Sequence, residues 1–334
     1  MLRPWGSFMD HLLSPEGVCN GRIRLPAAGS LPAVALVILV ALAAAEAVAP
    51  ATAYDGGVVV AAAGDVACDP DSPARPGECA DADTARLLEG ADLVLMLGDG
   101  QYPDGALERY QKGYGRTWGR YRDRTRPVPG NHEYQTPGAR GYFAYFGELA
   151  GRPGLGYYAF EAGGWLFLAL NSNCWAVGGC GPDSPQYRWL AAQLAPARGR
   201  CVLAYWHHPL FTAGRYSGYE SVRSWWELLA RHNAAVVLTA HDHNYQRFPA
   251  LDGNGRPSAR GVRPFVVGTG GRNLYRAWRQ GPLQPEVLRD DRFGVLRLQL
   301  LPGRYGWAFT GTDGAVLDSG AAPCPAPGSS TWHR

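Results

Sequence analysis

Five short segments of the chain bring carboxylate, amide and imidazole side chains together at intervals that suit a metal site. Gly64-Asp65 and Gly98-Asp99 each follow an apolar run, and Gly130-Asn131-His132-Glu133 follows the turn-rich stretch RTRPVP. His207-His208-Pro209 follows CVLAYW, and His241-Asp242-His243 follows AAVVLT. Five of the eight histidines lie in the last three segments. A lone histidine is usually a satisfied core residue, but clustering with carboxylates reverses that expectation. Imidazole with carboxylate suits zinc, iron, manganese or similar ions, and an Asn carbonyl adds a hard oxygen. The candidates outnumber what one ion needs. Two adjacent ions, ~3.5–4 Å apart, would account for them and would clamp the attacking and leaving oxygens of a phosphoryl displacement. Tyr102, three residues beyond Asp99, is a further oxygen donor within reach.

Polar clusters sit where predicted strands end, which is where ligand sites form in α/β sheets. Apolar β-type runs recur at 58–64, 91–98, 165–171, 201–206, 234–240, 264–270 and 295–301. Between several of them, DADTARLLEG, SPQYRWLAAQLA and SVRSWWELLARH carry apolar residues at three- and four-residue spacing, as helices do. Strand, helix, strand argues for α/β layering. VLRLQL and RYGWAF instead alternate apolar with polar, which predicts antiparallel pairing near the C-terminus. With no internal repeat or long linker, one catalytic domain over 54–320 is the simplest organisation. The Pro-, Gly- and Ser-rich residues 321–334 read as a flexible tail tethered by Cys324.

A formal charge of +3 on 334 residues points to neither nucleic acid nor an anionic membrane. The single lysine, Lys112, precedes Gly113 and not Ser or Thr, so the phosphate loop of nucleoside triphosphatases is excluded. Residues 31–45 form an uncharged apolar run after Arg22 and Arg24, and Ala51 and Ala53 give an A-x-A cleavage pattern. Residues 1–53 thus read as a secretory signal peptide cleaved after Ala53, or as an uncleaved N-terminal anchor, and the protein as secreted or extracytoplasmic. Contact with a membrane is expected only in the anchored case. Of seven cysteines, Cys19 precedes the apolar run, leaving an even set of six that reads as disulfides. Short intervals favour Cys68 with Cys79 and Cys174 with Cys180, leaving Cys201 for Cys324, among roughly 15 connectivities. Nothing in the sequence bears on oligomeric state.

The order GD, GDxxY, GNHE, HxP and HxH resembles the calcineurin-like metallophosphoesterase superfamily, and within it the purple acid phosphatase-like branch. The resemblance covers roughly residues 58–271. It implies a layered α/β/β/α sandwich of two mixed sheets flanked by helices. It also implies two metal ions, Fe(III) with Zn, Mn or Fe(II), with Asp65, Tyr102 and His243 at the first, Asn131, His207 and His241 at the second, and Asp99 bridging. His132 resembles the residue that contacts the phosphoryl group and assists proton transfer to the leaving group, and His208 a substrate-binding residue. The implied substrate is a small phosphate monoester hydrolysed by metal-activated hydroxide with a histidine as general acid. Phosphodiesters or nucleotide pyrophosphates are the alternative on the same core, and a catalytically inactive, metal-stabilised binding protein is the alternative of another class. The superfamily's opening Asp-x-His is absent, with Ala67 at the histidine position. Tyr102 is the natural substitute, which favours the purple acid branch. Ala240 stands where a Gly usually precedes the first His.

Overall fold

Runs such as WLFLA and CVLAY, apolar at every position, need cover on both faces, and the fold supplies it. The structure is a computed structural model that describes residues 57–325 apart from 73, 76, 198 and 279–282. The expected leader, its cleavage site and residues 326–334 lie outside the described residues. The first half of the order is β1 (Val58–Ala63), α1 (Asp81–Arg86), β2 (Leu93–Met96), α2 (Leu107–Lys112), β3 (Thr125–Pro127), α3 (Arg140–Phe146), β4 (Tyr158–Ala162) and β5 (Trp165–Ala169). Then come α4 (Pro185–Leu194), β6 (Cys201–Tyr205), α5 (Arg223–Arg231), β7 (Val236–Thr239), β8 (Tyr245–Arg247), β9 (Arg263–Val267) and β10 (Val287–Arg289). A meander of β11 (Gly294–Leu301), β12 (Arg304–Gly311) and β13 (Val316–Pro323) is last among the described residues.

Two mixed sheets result, ordered β13-β12-β11-β1-β2-β3 and β10-β8-β9-β7-β6-β5-β4. Parallel pairing joins β1, β2 and β3 in one and β5, β6, β7 and β9 in the other. The expected α/β/β/α sandwich is therefore present. Alternate residues of the second sheet divide the core. Trp165, Phe167, Leu203 and Tyr205 face a cluster shared with Val60, Leu95 and Leu298 of the first sheet. Leu166, Leu168, Val202 and Ala204 pack against Leu190, Leu194, Trp225 and Leu229 of α4 and α5.

All seven strand runs read from the sequence are strands. The shorter β3, β8 and β10, with β4, β13, α2 and α3, are additional. Three-residue strands carry too little periodicity to be legible. β13 contains Asp, Gly and Pro, residues depleted in strands, and exists because β12 offers it a partner edge. It runs to Pro323, paired with Arg304, so residues 321–323 belong to the sheet and the expected boundary at 320 falls inside a strand.

Disulfides join Cys68 to Cys79, Cys174 to Cys180 and Cys201 to Cys324. The last ties the start of β6 in one sheet to the end of β13 in the other, across 123 residues. On chain-entropy grounds such a link stabilises by roughly 5 kcal/mol, against roughly 2 for the 6-residue separation of Cys174 and Cys180. In urea unfolding, the Cys201→Ser/Cys324→Ser variant should therefore lose about twice the stability lost by Cys174→Ser/Cys180→Ser.

Candidate metal centre

β1, β2, β6 and β7 are parallel strands that end facing one another, and each delivers a candidate ligand just past its last residue. Asp65 follows β1, Asp99 follows β2, His207 follows β6 and His241 follows β7. Backbone bonds lock these exits together: Asp65 N–H donates to Gly98 O at 3.1 Å, Val66 N–H to Asp99 O at 2.9 Å, and Ala240 N–H to His207 O at 2.9 Å. Asp65, Asp99 and His241 have φ of 58°, 49° and 71°. This left-handed backbone is uncommon outside glycine and gathers at functional sites. Gly98, at φ 90°, is required twice over, since a Cβ there would lie 2.6 Å from the His207 ring.

The donor atoms converge with fewer protons than contacts. The Tyr102 hydroxyl lies 2.8 Å from Asp65 Oδ1, 3.0 Å from Asp99 Oδ2 and 3.1 Å from His243 Nε2, and it has one hydrogen to give. His243 Nδ1 lies 2.6 Å from the carbonyl of Asn273, which only accepts, so Nδ1 carries a proton and Nε2 is the nitrogen that faces Asp65 Oδ1, 3.2 Å away. His207 repeats the arrangement. Its Nδ1–H donates to Leu97 O at 2.9 Å, and its Nε2 faces Asp99 Oδ2 at 3.3 Å and His241 Nδ1 at 3.2 Å. Asn131 Oδ1 is buried without a hydrogen-bond partner among the described residues. Electron-rich atoms in contact, and a buried acceptor with no donor, fit cations as the missing counterpart.

Of the nine residues expected from the sequence, Asp65, Asp99, Tyr102, His207, His241 and His243 stand in direct mutual contact. Asn131 and His132 reach them through the GNHE turn. His132 donates its backbone N–H to Asp99 Oδ1 at 2.8 Å, and its ring Nε2 stands 3.9 Å from Asp99 Oδ2. His208 joins from the side of His207 and His241, the ligating atoms of all three lying within 4.8 Å of one another.

Two carboxylates inside the motifs carry work that sequence reading did not assign. Glu133 is fully buried and accepts the backbone N–H groups of Asp99 at 2.9 Å, Gly100 at 2.9 Å and Gly130 at 2.7 Å, plus the Tyr110 hydroxyl at 2.7 Å. It thereby clamps the Asp99 turn to the GNHE turn. Asp242 accepts the Thr212 hydroxyl at 2.5 Å and the N–H groups of Arg215 at 2.7 Å and Tyr216 at 3.1 Å. Their presence in GNHE and HDH was the available signal. The glycine-rich stretch GTGGRN, residues 268–273, adjoins the site, Gly270 N–H donating to Gly64 O at 2.9 Å.

Imidazole, carboxylate, amide and phenol donors at the strand exits of a two-sheet sandwich define a metallophosphoesterase architecture. The family model for calcineurin-like phosphoesterases matches residues 59–245, more than half of the chain. The chain belongs to that family. Within it, the likenesses include purple acid phosphatases. Over 183 residues the chain is 25% identical to "Probable inactive purple acid phosphatase 9" of Arabidopsis thaliana, covering 48% of this chain and 28% of that protein. The fold matches purple acid phosphatase PPD1 from yellow lupin (Lupinus luteus) seeds with a TM-score of 0.63 at 17% identity, over 81% of this chain and 55% of that one. It also matches GAP50, the anchor in the inner membrane complex of Plasmodium, with a TM-score of 0.58 at 14% identity, over 80% of this chain and 89% of that one. The chain thus spans little more than a quarter of the Arabidopsis protein and about half of the lupin structure.

Without a cation, protons can compensate the buried carboxylates. Burial lowers the His207 pKa, but the charge of Asp99 and the hydrogen bond to it outweigh burial and raise it to about 9. Burial and the charge of His207 lower His241 to about 4. For His207, a folded pKa above the unfolded ~6.5 gives stability that is complete below pH ~6.5 and lost as pH rises through about 9. The opposing His241 effect falls between pH ~6.5 and about 4, outside that window. Chelator-stripped protein should therefore melt at progressively lower temperature from pH 6.5 to 9, and metal-loaded protein should show a flatter profile.

Proposed function

We propose that the protein is an exported dimetal phosphoesterase that hydrolyses phosphate monoesters. The observation that carries this reading is the proton shortage around the Tyr102 hydroxyl, which lies within 3.1 Å of Asp65, Asp99 and His243 atoms. Asp65, Tyr102 and His243 would hold one cation, and Asn131, His207 and His241 the other, with Asp99 shared. When bound, such cations supply Lewis acidity toward phosphoryl oxygens and lower the pKa of coordinated water.

The chain's own groups do the rest. Burial and the charges of Asp65 and Asp99 raise the Tyr102 pKa far above the ordinary phenol value, so ionising this phenol needs a cation beside it. The His132 ring is tied through Nδ1 to the carbonyl of Pro103, and its side chain is 30% exposed. With Nδ1–H given to that carbonyl, Nε2 carries a proton only in the imidazolium form, and from that form the Nε2 proton can pass to a leaving oxygen on the open side of the site. Ser172 Oγ accepts the backbone N–H of His208 at 3.1 Å and lies 2.8 Å from its Nδ1, to which it can give its own proton. That contact leaves His208 Nε2–H as a donor for a phosphoryl oxygen. Three disulfides and the apolar segment 31–45 support export; no helix among the described residues is long and apolar enough to cross a membrane.

Asp99→Ala should abolish hydrolysis of an aryl phosphate, and His132→Ala should lower kcat by roughly 10²–10⁴ with bound metal retained. Unchanged turnover in Asp99→Ala refutes the reading. Faster turnover of diesters than of monoesters redirects it, and a metal-loaded protein without any turnover supports a metal-stabilised binding protein instead. Metal analysis should find two ions per chain, and with Fe(III) at the Tyr102 site the protein should show a visible charge-transfer band that Tyr102→Phe removes.

A further inference from the structure

The deepest donors are closed to solvent: Asp65, Asp99 and His207 are buried, whereas Asn131, His132, His208 and His241 are partly exposed and mark the open face. Aromatic rings stand over that face on one side. Tyr216 lies nearly parallel to the His241 ring, with centroids 4.4 Å apart and an angle of 27°. Tyr275 stacks on the His243 ring at 4.0 Å and 9°, and meets the edge of Tyr216 at 6.1 Å. The Arg215 guanidinium lies 5.1 Å from the centre of the Tyr275 ring. Yet Tyr216 is 40% exposed, one of few large apolar side chains so open among the described residues.

This exposed ring is held in place. Asp242, between His241 and His243, fixes both termini of the segment that carries it, accepting the Thr212 hydroxyl and the N–H groups of Arg215 and Tyr216. Gln246 adds a bond from the N–H of Ala213 at 2.7 Å. The segment lies so close to Asp242 that a Cβ on Gly214 would meet its carboxylate at 2.2 Å. A large aromatic surface kept rigid beside a candidate ligand contributes little to the core, but pre-organises a contact for something entering from solvent.

We propose that Tyr216, supported by Tyr275, forms the subsite for the organic group of the substrate, and that this group is aromatic: the site takes phosphate monoesters whose alcohol carries an aryl ring close to the ester oxygen. A phosphoryl group among the donors places its ester substituent on the open face, against the free surface of Tyr216. The inference rests on the phosphoesterase reading and deepens it.

The test compares benzyl phosphate with ethyl phosphate, whose alcohols are similar leaving groups, in parallel with calorimetric binding of benzylphosphonate and ethylphosphonate to metal-loaded protein. The intact protein should favour the benzyl compound roughly three- to tenfold in kcat/KM and in Kd, the range that one aromatic contact supplies. Tyr216→Ala should bring both ratios close to one, and Tyr216→Phe should keep them. Disturbance of His241 by the mutation lowers both substrates together and leaves the ratio unmoved, so the ratio reports the subsite. Equal treatment of the two compounds by the intact protein, or a preference that survives Tyr216→Ala, overturns the inference. Selective benzylphosphonate binding without any hydrolysis overturns the phosphoesterase reading and leaves the subsite standing.

Discussion

Two carboxylates, Asp65 and Asp99, are buried within reach of a single phenol, and holding that charge away from water is the constraint around which the rest is arranged. An isolated ionised group in such a place is strongly disfavoured. Here each carboxylate receives a backbone N–H, Asp65 from His241 and Asp99 from His132, both at 2.8 Å, and each faces an imidazole. Burial raises the pKa of both acids, and the histidine charges reverse the sign, so both remain ionised. The same compensation can be supplied by protons or by cations, and this is how one geometry is both stable and poised for metal. Left-handed backbone at Asp65, Asp99 and His241 costs on the order of 1 kcal/mol each, which the locked strand exits around them absorb.

A second pair of carboxylates holds the first in place. Glu133 spends its oxygens on the turns that carry Asp99 and Asn131, and Asp242 spends its own on the segment that carries Arg215 and Tyr216. Both sit inside motifs made otherwise of candidate ligands, so a single short segment supplies a donor and the group that positions its surroundings. Reach across the sheets comes from parallel strands ending at one edge, and the Cys201–Cys324 link helps keep the sheets in register with each other.

The ligand candidates were legible because imidazole, amide and carboxylate groups recur beside apolar runs, and short-range residue type is what a sequence displays directly. The strands longest in apolar residues, the α/β layering and the C-terminal antiparallel pairing were legible for the same reason, since burial on two faces or one leaves a pattern along the chain. Strands of three residues were not, and neither was β13, whose composition opposes its conformation and whose partner edge lies in β12.

What the sequence determined by itself, then, was the kind of chemistry: which donors exist, how many, and that they leave the chain at strand ends. Only the tertiary structure decided which donors meet. Asp65 and His241 are 176 residues apart, and nothing local to either records a bond of 2.8 Å between them. The proton shortage at Tyr102, the orphaned Asn131 oxygen and the Tyr216 wall are likewise properties of packing. Each depends on distances between segments that only two sheets laid face to face bring together.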